Sequence, residues 1–317
     1  MTTQYDISPR LRLGTRESPL AMAQAREARA RLCAAHGWEE AAIELVPVVA
    51  SGDRIQDRPL AEIGGKALWT KELDAWLAEG RIDAAVHSMK DVETIRPDSL
   101  VIASILPRAD VRDVLVGAAS ISQLPPGARI GTSAPRRAAQ LLNARPDCSV
   151  VMFRGNVATR LARLAAGEAD ATLLAAAGLE RLGQHGTGTP LAAEEWLPAP
   201  AQGAIGIECN AADQSTRALL AAVDHAPSRA RVMAERAVLE ALGGNCHSPV
   251  AILTEMQGGE ISARVVLFSP DGAERAEMSA RFSAGDLDGP HRLAAELLRS
   301  ATPGISAHFS GSPVQRQ

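Results

Sequence analysis

The sequence predicts an α/β protein: two doubly wound lobes around a cleft, then a smaller α+β C-terminal unit. Three observations point there. Short apolar runs alternate with amphipathic stretches through most of the chain, as in parallel sheets wrapped by helices. Several of those runs end in a polar turn that opens a capped helix. Beyond about residue 224 the order changes to helix, strands and a late helix.

Composition agrees with a soluble globular class. The 317 residues are 46% hydrophobic and 22% charged, with a net charge of −4. Aromatic residues make up only 3%, and there is no basic tail. Nucleic-acid binding by stacking or by a global positive field is thereby disfavoured. Residues 1–10 lack the apolar run of a signal peptide, and no stretch approaches the roughly 18 apolar residues of a membrane helix. The four cysteines, Cys33, Cys148, Cys209 and Cys246, show neither CxxC nor finger spacing, so no metal site is expected. A cytoplasmic protein with reduced thiols is the expectation. Only three of the 33 basic residues are lysines, Lys66, Lys71 and Lys90, in one short window. Where arginine is used almost everywhere, a lysine marks a place for a compact, titratable ammonium.

The elements follow in order. Residues 11–14 form a strand, and Ser18 with Pro19 caps a helix that Gly37 stops. Arg16 therefore sits in a strand-to-helix turn, beside backbone N–H groups that favour anions. Residues 43–50 form a strand. The polar stretch 51–66 has no clear period and reads as a mobile loop or lid ending in Gly64-Gly65-Lys66. A phosphate loop is rejected, because Ala67 stands where Ser or Thr is required. A helix over 68–79 with Gly80 as its stop leads to a buried strand at 82–86. His87, Ser88, Lys90 and Asp91 then leave that strand together. In open α/β sheets the carboxyl ends of strands face the ligand crevice.

A strand at 100–106 and a polar crossing at 107–112 precede a second series. Residues 128–131 form a strand. Thr132 to Arg137 open a helix with Ser133 as its cap and Pro135 in its first turn. Arg136 and Arg137 stand at the positive end of that helix, which is unfavourable unless an anion is present. A strand at 148–153 leads through Arg154 to Asn156, the cap of a helix that carries Arg160 one turn in. Strands at 170–175 and 203–209 follow, with a short helix ending near Gly183 between them. Helices at 212–223 and 228–241, strands at 250–254 and 260–268, and a helix at 289–300 complete the chain. Arginines at three separate strand-to-helix turns converge on one edge, and arginine forks suit carboxylates or phosphates. A ligand with several negative charges is expected. Cys246 lies in the glycine-rich loop Gly243-Gly244-Asn245-Cys246-His247, which exposes its thiol.

These stretches together resemble the hydroxymethylbilane synthase family, also called porphobilinogen deaminase. The pieces are Leu13 to Ala21, Gly64-Gly65-Lys66, Val86 to Asp91, Gly131-Thr132-Ser133 with Arg136-Arg137, and Arg154-Gly155-Asn156-Val157 with Thr159-Arg160. Ala177-Gly178-Leu179 with Arg181, Gln202-Gly203-Ala204 leading to Cys209, and the cysteine loop follow in the family's order. The resemblance implies two lobes like those of periplasmic binding proteins and a third domain. The expected boundaries are 1–106 with 203–223, then 107–202, then 224–317. It implies a dipyrromethane cofactor joined by a thioether to Cys246, to which four porphobilinogen units are added before a linear tetrapyrrole is released by hydrolysis. Asp91 is implied as the catalytic residue. Ser88, Lys90, Ser133, Arg136 and Arg137, with Asp91, are implied as cofactor contacts. Arg16, Ser18, Gln24, Arg154, Arg160, Arg181 and Lys66 are implied as contacts to substrate and growing chain. His87 is expected to be structural. A monomer acting on small molecules, without nucleic acid or membrane, completes the expectation.

This sequence departs from the family pattern at Asn245, which stands before the cysteine where a second glycine is usual. It departs again at Ala134-Pro135, where Ser-Leu is more usual, and at Ala201, where glycine often precedes Gln-Gly. Two other readings stay open at this point. A two-lobed anionic-solute-binding protein needs no third domain and no exposed cysteine. A cysteine hydrolase needs a base and an orienting group that the sequence does not place.

Overall fold

The computed structural model describes residues 9–49 and 70–311. The expected strand at 43–50 and the helix at 68–79 are therefore seen only in part, and the proposed lid at 51–66 lies outside the described residues. Three sheets organise the fold. The first holds β1 (Leu11–Arg16), β2 (Ile43–Val48), β3 (Ala84–Ser88), β4 (Leu100–Ile105) and β10 (Ile205–Asn210) in the order β2-β1-β3-β10-β4. Strands β1, β2 and β3 are parallel, and β10 enters antiparallel between β3 and β4.

The second sheet repeats that plan. It holds β5 (Asp113–Val116), β6 (Arg129–Gly131), β7 (Ser149–Val151), β8 (Ala171–Ala175) and β9 (Thr189–Pro190) in the order β7-β6-β8-β5-β9. Here β5 is the antiparallel insert. The third sheet is an antiparallel meander of β11 (Val250–Gln257), β12 (Glu260–Phe268) and β13 (Arg275–Ser283). Two doubly wound lobes and a smaller α+β unit are the observed architecture.

Helices cover the sheets where their apolar faces require it. Helix α1 (Pro19–His36) buries Ala25, Ala28 and Leu32 against Leu11, Leu13 and Ile207. Helix α2 (Lys71–Ala78) packs Leu73 and Leu77 on Ile82 and Ala85 at the other face. In the second lobe lie α3 (Pro135–Ala144), α4 (Val157–Ala165) and α5 (Ala176–Arg181). Helices α6 (Gln214–Ala221) and α7 (Ala226–Ala241) follow β10. Helices α8 (Gly289–Ser300) and α9 (Pro303–Ser306) close the third unit, whose core joins Val238, Val265 and Leu297.

Local capping chemistry acts as the sequence suggests at three sites and differently at a fourth. The Ser18 hydroxyl accepts from the Ala21 N–H, and Asn156 accepts from the Thr159 N–H. Gly37 ends α1 at φ 64°, in the left-handed region. Ser133 does not cap α3. Ala134 occupies the cap position, and its N–H is held by the Thr132 hydroxyl at 3.2 Å. The difference follows from Pro135, which occupies the first helical turn and leaves no amide hydrogen there.

Two chain crossings join the lobes, and their contacts are buried. Arg108 forms a bidentate pair with Glu235 on α7, at 2.7 and 2.9 Å, with neither side chain more than 2% exposed. Glu235 also accepts from the Ala201 N–H and the Thr254 hydroxyl. Gly203 has φ 82°, and a Cβ there would meet the Ala109 carbonyl at 2.7 Å. Ala201 adopts φ 58°, a conformation that glycine would hold without strain. Removing one partner from such a buried pair strands the other charge. Glu235→Ala is therefore expected to lower stability by about 3–5 kcal/mol, read from the midpoint of a urea titration. A change below about 1 kcal/mol would show that the crossing does not depend on this pair.

Candidate active site

The carboxyl ends of the parallel strands in both lobes open onto one cavity of about 950 Å³. From the first lobe it is lined by Arg16, Ser18, Gln24, Ser88, Lys90 and Asp91. From the second come Ser133, Arg136, Arg137, Arg154 and Arg160. Cys246, His247 and Ser248 of the third unit complete the wall. Among the described residues, six cationic side chains line this space against two carboxylates, Glu17 and Asp91. The topology that brings them together is the same in both lobes, because each strand ends where its helix begins.

Asp91 sits on a 3₁₀ turn, Met89–Asp91, directly after β3. The turn is anchored by the Met89 N–H on the Ala204 carbonyl at 3.0 Å. Strand β10 passes close beneath, and a Cβ on Gly206 would fall 2.1 Å from the Met89 sulfur. Among the described residues the Asp91 carboxylate makes no hydrogen bond. It faces a cationic cavity with its oxygens available. Lys90 beside it is half-buried, and burial pushes its ammonium below the usual lysine value.

His87 is buried within β3 itself, not in the turn after it. Its Nε2 lies 3.3 Å from Glu208 on β10. Burial alone would push the Glu208 carboxyl up, but His87 and the Arg96 fork hold it down at about 2. Arg96 donates to both Glu208 oxygens, at 2.9 and 2.8 Å, and also to Glu93 and Asp74. This network underlies the turn that carries Asp91.

In the second lobe the anion that two arginines at a helix N-terminus require is found inside the protein. Asp113 accepts from Arg136 and from Arg137, each at 2.7 Å. Gln202 and the Trp196 indole also donate to it, both at 2.9 Å. The remaining terminal nitrogens donate to the Leu197 and Leu173 carbonyls. Burial opposes ionisation of Asp113, yet the two guanidiniums drive its carboxyl far below the ordinary range. One carboxylate cannot balance two guanidiniums, and the Nε atoms of Arg136 and Arg137 are buried with no hydrogen-bond partner among the described residues.

Arg160 donates to the Gly155 carbonyl and, at 3.5 Å, to the Ser133 hydroxyl. Burial and the nearby Arg137 pull its guanidinium down to about 10. Arg154 is buried beside it, and Gln24 donates to the Ser88 hydroxyl at 3.2 Å. Among the described residues, positive charge thus outnumbers carboxylates along the cavity wall, which suits a polyanionic ligand. Arg181 departs from expectation and does not line the cavity. Helix α5 presents Gly178 to the cavity, while Arg181 pairs with Glu27 on α1 at 3.1 Å and donates to the Gly203 carbonyl. It ties the lobes together. Lys66 lies outside the described residues.

The cysteine loop is ordered by the residue that departs from the family pattern. Asn245 accepts from the His247 N–H at 2.8 Å, and the Ser248 hydroxyl accepts from the Asn245 N–H at 3.0 Å. An Asx turn takes over where a glycine is usual. Cys246 is exposed as a residue, but its thiol is crowded by the cavity walls. That desolvation, with Asp91 and Glu93 nearby, pushes the thiol up to about 12. A thiol so protonated at neutral pH is unsuited to a cysteine hydrolase, which needs a ready thiolate. The residues missed in the sequence are Asp113, Glu208 and Arg96. None lies in a motif-bearing turn of its own.

Fold and site define a two-lobed α/β protein whose lobes and cysteine loop line one cavity rich in arginine. A family model described as "Porphobilinogen deaminase, dipyromethane cofactor binding domain" matches residues 11–218, and "Porphobilinogen deaminase, C-terminal domain" matches residues 229–299. The chain belongs to the porphobilinogen deaminase family. A protein named porphobilinogen deaminase from Sphingopyxis alaskensis is 57% identical over 306 residues, covering 95% of this chain and 96% of that protein. One from Paracoccus denitrificans is 51% identical, covering 86% and 88%. The chloroplastic one from Oryza sativa is 48% identical, covering 85% and 77%. Among solved structures, a double mutant of the VFT2 domain of Bordetella pertussis BvgS is 16% identical, with a TM-score of 0.39, covering 67% of this chain and 84% of that chain.

The depressed Glu208 carboxyl has a definite sign in acid. A folded value of about 2 against an ordinary 4.5 means its contribution is complete above pH 4.5 and is lost as pH falls towards 2. The stability difference between the native chain and Glu208→Gln should therefore shrink over that range in urea titrations. A difference that stays constant with pH would show that Glu208 is not held ionised by His87 and Arg96.

Proposed function

We propose that this chain is a hydroxymethylbilane synthase, a transferase that joins four porphobilinogen units and releases the linear tetrapyrrole by hydrolysis. The observation that carries the reading is the meeting of an unpartnered carboxylate, a loop thiol and six cationic side chains in one cavity. Each pyrrole unit brings an acetate and a propionate, so the growing chain gains two negative charges at every addition.

The residues present fit a dipyrromethane cofactor. The unpartnered Nε atoms of Arg136 and Arg137 leave donor capacity beside Lys90, Ser88 and Ser133. These residues would hold its carboxylates, and Cys246 would anchor it by a thioether. When bound, it supplies the terminal pyrrole carbon at which chain growth begins. Arg16, Ser18, Gln24, Arg154 and Arg160 would bind substrate and growing chain. Their forks and hydroxyls at helix N-termini match carboxylates in geometry and charge.

Asp91 carries the chemistry in this reading. Loss of ammonia from the aminomethyl group leaves positive charge on the substrate pyrrole. A fixed carboxylate near the pyrrole N–H stabilises that charge as it develops. The same carboxylate can accept a proton later in the cycle. It is suited to both because no protein donor occupies its oxygens.

Domain boundaries at 106/107, 202/203 and 223/224 are part of the proposal. They are supported by β10 returning to the first sheet and by α7 packing with the meander. A cytoplasmic monomer is also proposed. Four unpaired cysteines suit a reducing compartment, and one chain supplies every wall of the cavity described. No described helix is long and apolar enough to cross a membrane.

Two measurements test the reading. The intact mass of active protein should exceed the sequence mass by two pyrrole units, and Cys246→Ser should lose the excess together with activity. An unmodified mass in active protein would overturn it, and an inactive protein that binds anionic solutes would favour a solute-binding role. Separately, Asp91→Asn should reduce kcat by about 10²–10³-fold with the fold and cofactor retained. Near-normal turnover would remove Asp91 from the chemistry.

A further inference from the structure

Arg236 stands on α7, and only 4% of it is exposed. Among the described residues its guanidinium hydrogen-bonds no carboxylate. One terminal nitrogen donates to the Val92 carbonyl at 2.9 Å and, weakly, to that of Met89 at 3.5 Å. The other donates to Glu93 at 2.6 Å and to Thr94 at 3.3 Å. The four acceptors belong to the backbone on either side of Asp91. Burial, with Arg96 nearby, holds the guanidinium down at about 10. A buried cation is costly unless it is paired or hydrogen-bonded, and here backbone carbonyls supply the compensation.

We propose that Arg236 is a positioning residue that fixes the Asp91 turn to helix α7, and so sets the carboxylate against the cysteine loop at the end of that helix. The Asp91 carboxylate has no hydrogen bond of its own among the described residues, so its place depends chiefly on the backbone that carries it, with Lys90 and Arg160 acting on it only through charge. That backbone is held at the Met89 N–H by Ala204 and at its carbonyls by Arg236. Helix α7 continues to Leu239, which lines the cavity. The Gly244 N–H closes on the Leu239 carbonyl as the chain enters the cysteine loop. One rigid element therefore holds both reacting centres. The planar fork matters, because a lysine ammonium cannot reach carbonyls on both sides of the turn at once.

This inference rests on the reading that Asp91 does the chemistry, and the test separates the two. Arg236→Lys and Arg236→Met are made in the full chain. Intact mass, denaturation midpoint, kcat and KM are then measured for each. Arg229→Met is the comparator, because Arg229 lies on the same helix but donates to Asp224 and to the Ile102 and Ala103 carbonyls of β4.

Displacing a reacting group by about 1 Å costs on the order of 100-fold. Arg236→Met should lose about that much in kcat with KM nearly unchanged and the cofactor mass retained, and Arg236→Lys should fall between. Arg229→Met should lose stability but keep its kcat. A folded, fully loaded Arg236 variant with kcat within about threefold of the native enzyme would overturn the proposal. So would a loss that Arg229→Met matches at the same midpoint shift. If Arg236→Met does not fold, Arg236→Lys decides alone. An inactive Asp91→Asn beside a fully active Arg236→Lys defeats only the positioning role, whereas an active Asp91→Asn defeats the reading of Asp91.

Discussion

Asp113 accepts hydrogen bonds from Arg136, Arg137, Trp196 and Gln202 in a site with no access to water. The cavity wall depends on this arrangement. Two guanidiniums cannot be buried side by side at the positive end of a helix without a counter-charge. A single carboxylate allows them to fold there and, among the described residues, balances only one of the two charges. Because Gln202 belongs to the crossing segment, the same carboxylate also ties the second lobe to the strand that returns to the first.

A similar economy governs the first lobe. Glu208, His87 and Arg96 form a buried polar base under β3, and Arg236 holds the following turn by its carbonyls. Asp91 is therefore placed by neighbours that never touch its side chain. Its carboxylate remains open to the cavity while the backbone of its turn is hydrogen-bonded on both sides. A site built to stabilise a developing cation needs this separation between the groups that position and the group that acts.

Chain order and spatial order differ most at the crossings. The segment at 107–112 reads as a polar connector, yet it ends in a buried strand, β5, whose first residue is Asp113. Four residues are too few to show a period, and an aspartate at a strand start resembles a turn residue. Strand β13 is hidden for a related reason. Its period-2 pattern is in fact present, with Ala276, Met278, Ala280 and Phe282 on the core face and Glu277, Ser279, Arg281 and Ser283 opposite, but two alanines weaken the apolar signal. Arg181 shows the converse. Its motif suggested a ligand contact, but the helix turns it towards Glu27.

The sequence by itself determined the strand-to-helix turns, because their signals are local. Ser18, Pro19, Asn156 and Gly37 act on backbone groups within a few residues. It also determined the class of ligand, since arginines at successive turns share one sheet edge in any doubly wound lobe. Only the tertiary structure decided how that charge is balanced. Asp113 meets Arg136 across 23 residues and Arg236 meets the Asp91 turn across more than 140. Partners so far apart in the chain leave no periodic or capping signature. Burial makes each of them necessary, and burial is a property of the folded chain.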